Sequence, residues 1–575
     1  MKDDRQNFVL FAVFAALILF GWPLIQNRFF PTANPPATKI EGGKQVAVPN
    51  PAADPAADPT ADSPAAVRDR RQVLTETPRV RIETPGLRGS INLRGPRIDD
   101  LVLLRYNETV AKDSAPIRLL SPAGAPDAYF AGFGWRAEGL NPPAADAVWT
   151  ASAPVLTPAT PVTLEAANAT GQRFRIQIAI DKDYLFTIRQ TVLNGGTAAV
   201  PVASYGFVNR VGVSKDPDSW TIHTGPMSVN NGAAHYAPNF SDVDEAPQRF
   251  TTQGGWLGFT DKYWLTALVP DASQTFDGQF RAGANVGSNR AYQADYSVQP
   301  RMLAPGQSMT GSARFFAGAK EVRLLDRYTD DGVVPKLDYA IDWGWFRLVE
   351  KPIFYYLDWL FRMVDNFGVA IILLTLTIRL VLFPIAQRQF ASMAAVRAIQ
   401  PKMKALQERH KDDKQRLQQE VMALYKQEKV NPLAGCLPTL IQIPIFYALY
   451  KVLLLTIEMR HQPFVLWIKD LSAPDPLTPV NLFGLLAFTP PHWLGIGVVP
   501  ILLGISMYFQ FKLNPQAMDE TQKQVFAFLP WVLMFVMAPF AVGLQVYWIT
   551  TNCVSILQQK LLYARHPGLK QAPVK

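Results

Sequence analysis

At 575 residues the chain is too long for one ordinary domain, and its mean hydropathy of +0.04 averages a polar half with a strongly apolar half. A formal charge of +9 suits a protein that meets anionic lipid or RNA-bearing partners, and decides neither. The two cysteines, Cys436 and Cys553, both lie in or beside apolar runs, which excludes an extracytoplasmic disulfide framework.

The chain opens with a short charged stretch and the apolar run Phe8 to Ile25. That run is longer than the core of a usual signal peptide and no small-x-small cleavage site follows at once, so residues 1–30 are expected to form an uncleaved membrane anchor. Residues 31–78 are rich in Pro, Ala and Asp, with the repeat PAADPAADP, and hold too little apolar surface to bury a core. They read as a disordered tether. From 79 to 328 the texture changes to short alternating runs such as RFRIQIAI and YLFTIRQTVL, separated by turn signals such as LNGG and KDPD. This predicts a large antiparallel β-sandwich. Its histidines, His223 and His235, have neither metal-ligand spacing nor a nucleophile elbow beside them, so nothing marks the domain as catalytic.

Residues 342–365 follow helical spacing after Pro352, with Ile353, Leu357, Leu360, Phe361 and Val364 on one side and many aromatics around them. They predict an amphipathic helix lying along the membrane interface. The next stretch, Asn366 to Ile385, has the length of a membrane span and carries Arg379. Arg379 stands nine residues before Arg388, the expected end of the span, and so about 13 Å inside it. A charge there costs at least ~2.5 to 3.5 kcal/mol. A carboxylate partner is not available, because no Asp or Glu occurs within the other apolar runs, Phe8–Ile25, Leu433–Leu455, Gly497–Phe511 and Val525–Leu557. One solution is snorkelling to the headgroups. The other, preferred here, is a water-filled pocket between helices, which Thr375 on the same helix face and Gln442 in another run would help to line.

Residues 387–431 predict a helical hairpin, with stripes of Val396, Ile399, Met403 and Leu406, then Leu417, Val421 and Leu424, around a polar HKDDKQ turn. Ten Lys or Arg against five Asp or Glu from Arg388 to Lys429 place it in the cytosol. Parity then puts the sandwich outside the cytoplasm and both termini inside. Pro438 and Pro444 kink the run Leu433–Leu455, and Val525–Leu557 is expected to break at Pro539 and Gly543 into two short helices. The outside loop carries NLFGLLAF, too short to span and expected on the membrane surface. The fold class is thus a multi-pass α-helical membrane protein of six spans, with a periplasmic antiparallel β-sandwich and a cytosolic hairpin.

The segments EKPIFYYLDW, the Arg379 span, DDKQRLQQEVMALYKQEKVNPLAGCLPTLIQIPIFYALY (Asp412 to Tyr450) and QPFVLWIKDLSAPDP (Gln462 to Pro476) together resemble the YidC membrane protein insertase family, in its Gram-negative form. The resemblance is strongest from Glu350 to Leu562. It implies a five-span insertase core over 366–562, a short cytosolic tail over 563–575, and an inner-membrane protein that inserts and helps to fold other membrane proteins, alone or with the Sec translocon. It also implies a hydrophilic groove open to cytosol and lipid, whose substrate-contact positions fall on Arg379, Thr375, Gln442, Tyr547 and Trp548. Nascent membrane proteins, the Sec translocon, the bilayer and, more weakly, the ribosome are the implied partners; no cofactor and no nucleic-acid substrate are implied. Val542 stands where the family leads one to expect a groove serine, the outside loop 477–494 is long, and the tail is only mildly basic. A P-loop is absent from the sequence, so ATP is not the expected energy source. Two other classes compete: a transporter, which would normally need intramembrane carboxylates or inverted repeats, and a membrane-anchored periplasmic carbohydrate-binding protein or enzyme.

Overall fold

The computed structural model describes residues 38–41, 44–47, 67–136, 142–144, 146–169, 171–216, 222–387, 399–410, 413–428, 437–486, 495–513 and 520–565. The expected anchor Phe8–Ile25, the first part of the hairpin and the tail 566–575 lie outside the described residues. The chain divides into two units, one up to Asp342 and one from Trp343.

Two large sheets build the first unit. One runs, in spatial order, Ala233–His235, Gly225–Asn230, Trp256–Thr260, Trp264–Pro270, Ser308–Ala319, Leu185–Leu193, Arg173–Ile180, Val162–Ala167 and Thr150–Ala151, all antiparallel. The other is centred on Thr275–Val286, Asn289–Val298, Val200–Val211, Tyr129–Arg136 and Arg97–Asn107. Its edge departs from the expected pattern, because Val155–Leu156 pairs parallel to Arg79–Glu83.

Alternation explains how the sheets face each other. In Arg173–Ile180 the side chains of Phe174, Ile176, Ile178 and Ile180 are buried while Arg173 and Arg175 are exposed, as the period of two requires. Phe133 from the second sheet meets Phe315 from the first, ring centroids 6.2 Å apart, and Trp135 meets Phe174 at 5.3 Å. Polar groups that enter this core are hydrogen-bonded: the Gln190 amide donates to the carbonyl of Gly134 at 2.6 Å, and the Tyr129 and Thr266 hydroxyls pair at 2.7 Å. The LNGG turn closes through Asn194, whose amide donates to the carbonyls of Ala198 and Leu303. A Cβ on Gly195 would lie 2.3 Å from the Gly171 carbonyl, so only glycine fits.

The tether is more structured at its two ends than composition suggests. Thr38–Glu41 and Lys44–Ala47 pair as an antiparallel hairpin, for which the Gly42-Gly43 dipeptide is the sequence signal. Helix α1 (Arg70–Thr75) is capped by Asp69, and Arg70 pairs with Asp100 of the second sheet. Two further helices, α2 (Phe240–Glu245) and α3 (Val322–Asp330), complete this unit, α2 starting with a capping box of Asn239 and Asp242.

The second unit is helical: α4 (Arg347–Val364), α5 (Phe367–Val381), α6 (Gln400–Arg409), α7 (Lys414–Gln427), α8 (Leu437–Leu455), α9 (Val498–Leu513), α10 (Glu520–Met537) and α11 (Val542–Arg565). The α10–α11 break falls at the expected Pro539, whereas Gly543 lies inside α11 and the two helices, of 18 and 24 residues, are longer than expected. The expected span Asn366–Ile385, in contrast, is interrupted at Leu382, two residues before Pro384, which lacks the donor to continue the ladder. Among the described residues no helix is both long and apolar enough to cross a membrane. α5 and α9, with 15 and 16 residues, are about 22 and 24 Å long, against ~30 Å of hydrocarbon.

On α4 the expected polar side is partly inward. Glu350 and Asp358 are buried with Phe354, Leu357 and Leu360, and Asp358 accepts from Arg362 Nε at 3.0 Å. Leu348, Trp359 and Met363 are exposed. The helix is therefore apolar on much of its outer surface as well, which periodicity read as a single stripe did not anticipate.

Candidate groove around Arg379

The position of Arg379 is set by how α5 begins. The Asn366 side chain accepts from the Val369 amide at 3.0 Å and donates to the Phe464 carbonyl at 3.0 Å, so one residue caps the helix and ties it to the outside loop. Gly368 lies under the Phe464 ring, where a Cβ would come within 2.0 Å, and Phe361 stacks on Phe367 at 4.0 Å. The Tyr356 and Thr377 hydroxyls, 2.9 Å apart, pin α4 against α5.

The same loop, the QPFVLWIKDLSAPDP segment, serves the amino termini of two more helices. The Val542 and Gly543 amides at the start of α11 donate to the carbonyls of Ala473 and Leu471, both at 2.9 Å. Buried Asp475 accepts from the Val499 amide of α9 at 2.7 Å, and from Leu477 N and Trp467 Nε1 at 3.0 Å each. Carbonyls and a carboxylate thus meet the unsatisfied donors and positive dipole ends of α5, α9 and α11 in one place. Asp475 was not among the sequence candidates; it stands 23 residues before α9, too far for a helix-start signal to have found it.

From these fixed starts the helices bring most of the expected site together. Gln442 Nε2 of α8 donates to the Tyr547 hydroxyl of α11 at 2.6 Å. Phe446, one turn along α8, packs on Trp548 at 5.0 Å and Tyr547 at 6.3 Å. Arg379 of α5 lies near Tyr547 and, among the described residues, makes no ion pair or hydrogen bond. Thr375 is placed differently: it is buried, and its hydroxyl donates to the Ile371 carbonyl of its own helix at 2.7 Å. Val542 is likewise fully buried, at the loop end of α11.

A second polar line on α11 was not anticipated. Asn552 Nδ2 donates to Ser506 Oγ of α9 at 2.8 Å, both residues being buried, and Gln545 Nε2 donates to the Met537 and Phe540 carbonyls across the α10–α11 break, each at 2.9 Å. Such bonds fix helix pairs where no water competes. Among the described residues no group of three His, Cys, Asp or Glu is placed to hold a metal ion.

Residues 359–569 match the family model of the 60Kd inner membrane protein, and residues 79–356 that of the YidC periplasmic domain. The chain is 51% identical over 569 residues to the membrane protein insertase YidC of Zymomonas mobilis, covering 98% of this chain and 96% of the relative. It is 41% identical over 611 residues to that of a Methylobacterium species, covering 99% and 96%. Among solved structures it is similar to an active YidC insertase with the first transmembrane domain resolved, at 18% identity and a TM-score of 0.36, covering 86% of this chain and 93% of that one. The chain belongs to the YidC family of membrane protein insertases.

Proposed function

We propose that this insertase passes its clients along a hydrophilic groove formed by α5, α8 and α11, with Arg379 as the charge inside it. The observation that carries this reading is an arginine in an apolar helix, without an ion pair among the described residues, beside the Gln442–Tyr547 hydrogen bond. The physical problem is asymmetric. A client helix of about 20 apolar residues partitions downhill, gaining ~0.3 to 0.6 kcal/mol per Leu-like residue, so the barrier is the passage of its polar flank through hydrocarbon. A wet half-channel shortens that path. Short helices such as α5 and α9 shorten it again by thinning the bilayer around them. Hydrophobic partitioning and, for an acidic flank, the membrane potential supply the driving force, without covalent chemistry.

In this reading the chain crosses the inner membrane six times. Anchor, α5, α8, α9, α10 and α11 are the spans, with the α6–α7 hairpin and both termini cytosolic and the sandwich periplasmic. Nascent membrane proteins are its clients; the Sec translocon and, given the mildly basic tail, more weakly the ribosome are its partners.

Topology is tested with an impermeant thiol reagent in cells whose outer membrane alone is permeabilised, Cys436 and Cys553 being replaced by Ser. Cysteines at exposed Lys112 and half-exposed Asp271 are labelled, and those at Arg409 and Gln418 are spared. Labelling of the hairpin would reverse the assignment. The location of the activity is tested by deleting Arg79 to Ala317 while keeping the anchor and α4. Insertion of a short client, read by protease protection, then persists at a substantial fraction of the full chain's level. Complete loss with normal expression would move the activity into the sandwich.

A further inference from the structure

The loop between Asp475 and α9 has a closed base. Val498 N donates to the Leu477 carbonyl at 3.0 Å, and Asp475 holds both sides of that base through Leu477 N and Val499 N. Beyond the base, Thr478 caps a short turn over Pro479–Gly484. Leu482 and Phe483 within it adopt left-handed backbone conformations, φ 49° and 59°, that such side chains rarely take up. The consequence is outward display. Val480, Leu482, Phe483, Leu485 and Leu486 are all exposed, Leu485 to 84%.

From Pro476 to Phe511 the chain contains no Asp, Glu, Lys or Arg. Loops facing water usually carry charge and turn polarity, so five exposed large apolar side chains in seven residues call for an apolar covering. The base sits where α9 starts, and α9 is a proposed span with its amino terminus on the outer side. The apolar turn therefore stands at the level where lipid begins. We propose that Val480–Leu486 is a wedge seated in the outer leaflet of the bilayer, its occupant being lipid and not a second protein. A rigid base fixes its depth, so the wedge holds the entry of the short helix α9 at a set level in the membrane. This rests on the reading of α9 as a span.

The test uses the full chain with Cys436→Ser and Cys553→Ser, reconstituted in vesicles of phosphatidylethanolamine and phosphatidylglycerol. Nitroxide spin labels are attached at Leu485→Cys, at Leu502→Cys on the exposed side of α9, and at Lys469→Cys in the charged part of the same outside loop. Collision with oxygen, which concentrates in lipid, is compared with collision with a water-soluble nickel chelate. Label at Leu485 is expected to favour oxygen, as at Leu502, by severalfold over the label at Lys469. A nickel-accessible Leu485 beside an oxygen-favoured Leu502 overturns the wedge while leaving α9 in the membrane. Shielding of Leu485 from both reagents also overturns it, because protein then covers the turn. A nickel-accessible Leu502 would defeat the membrane placement of α9 itself, and the wedge with it.

Discussion

Replacing Arg379 by Ala or Glu is expected to reduce insertion of clients with acidic translocated tails on the order of tenfold, a loss equivalent to ~1.4 kcal/mol. Clients with neutral tails should change little. The reasoning is differential: only an acidic segment has an interaction with the guanidinium to lose, and a group that treats two clients alike cannot discriminate between them. The size follows from one charge pair at a few ångströms in a partly hydrated groove, worth at most ~4 kcal/mol at an effective dielectric of 20 and less once screened. Lys at position 379 should retain more activity than Ala, since the point charge survives although the bidentate fork is lost. In-vivo insertion assays on a client series differing only in tail charge measure this. An equal loss for every tail would make Arg379 a residue that holds the helices in place and would remove it from client recognition.

Arg379, Thr375 and Gln442 were legible as candidates because polar side chains in apolar runs are costly unless they meet something, whereas Tyr547 and Trp548 came only from the family resemblance. Sequence could not say which would meet. The Gln442–Tyr547 bond joins residues 105 positions apart, and it depends on where the outside loop fixes the start of α11. Thr375 shows the limit of face arguments. Spacing placed it correctly on the face of Arg379, four residues away, but a threonine hydroxyl can be satisfied within its own helix, as here with Ile371. The sandwich was read from alternation, which survives wherever one side of a strand is buried. Its short parallel edge pair carries no such signal, since two residues cannot show a period. The α10–α11 break was visible in Pro539 but not in Gly543, which is helical, and Pro384 near the end of an apolar run was absorbed into a longer expected span.

The sandwich contains one buried charge cluster whose disruption should be the most damaging single change in that unit. Arg210 forms two hydrogen bonds to Asp261, at 2.9 and 3.0 Å, with its guanidinium over the rings of Tyr129 and Phe240. Lys320, fully buried close by, donates to Thr260 Oγ1 at 3.0 Å and to the Ala340 carbonyl at 3.3 Å. Burial alone would raise the Asp261 carboxyl, but the charge and hydrogen bonds of Arg210 outweigh it and hold the group below the usual carboxylate range. Asp261→Asn leaves the buried Arg210 guanidinium without its ion-pair partner and is expected to cost about 3 to 5 kcal/mol. Lys320 adds a pH dependence of opposite origin. Burial pulls its ammonium down from 10.5 to about 8, with Asp261, Asp216 and Asp342 only partly compensating. Between pH 8 and 10.5 the unfolded chain holds a proton that the folded chain has released, so stability rises with pH across that window. The 2.5-unit difference amounts to about 3 kcal/mol at ~1.36 kcal/mol per unit. Lys320→Met should flatten this rise. Pulse proteolysis of the full chain in mild detergent across a urea series, at pH 7 and pH 10, with fragments of the sandwich as the readout, measures both effects. A wild-type chain whose sandwich is equally resistant at the two pH values, or an Asp261→Asn variant as resistant as wild type, would show that solvent reaches this cluster and that its charges are not held in a dry interior.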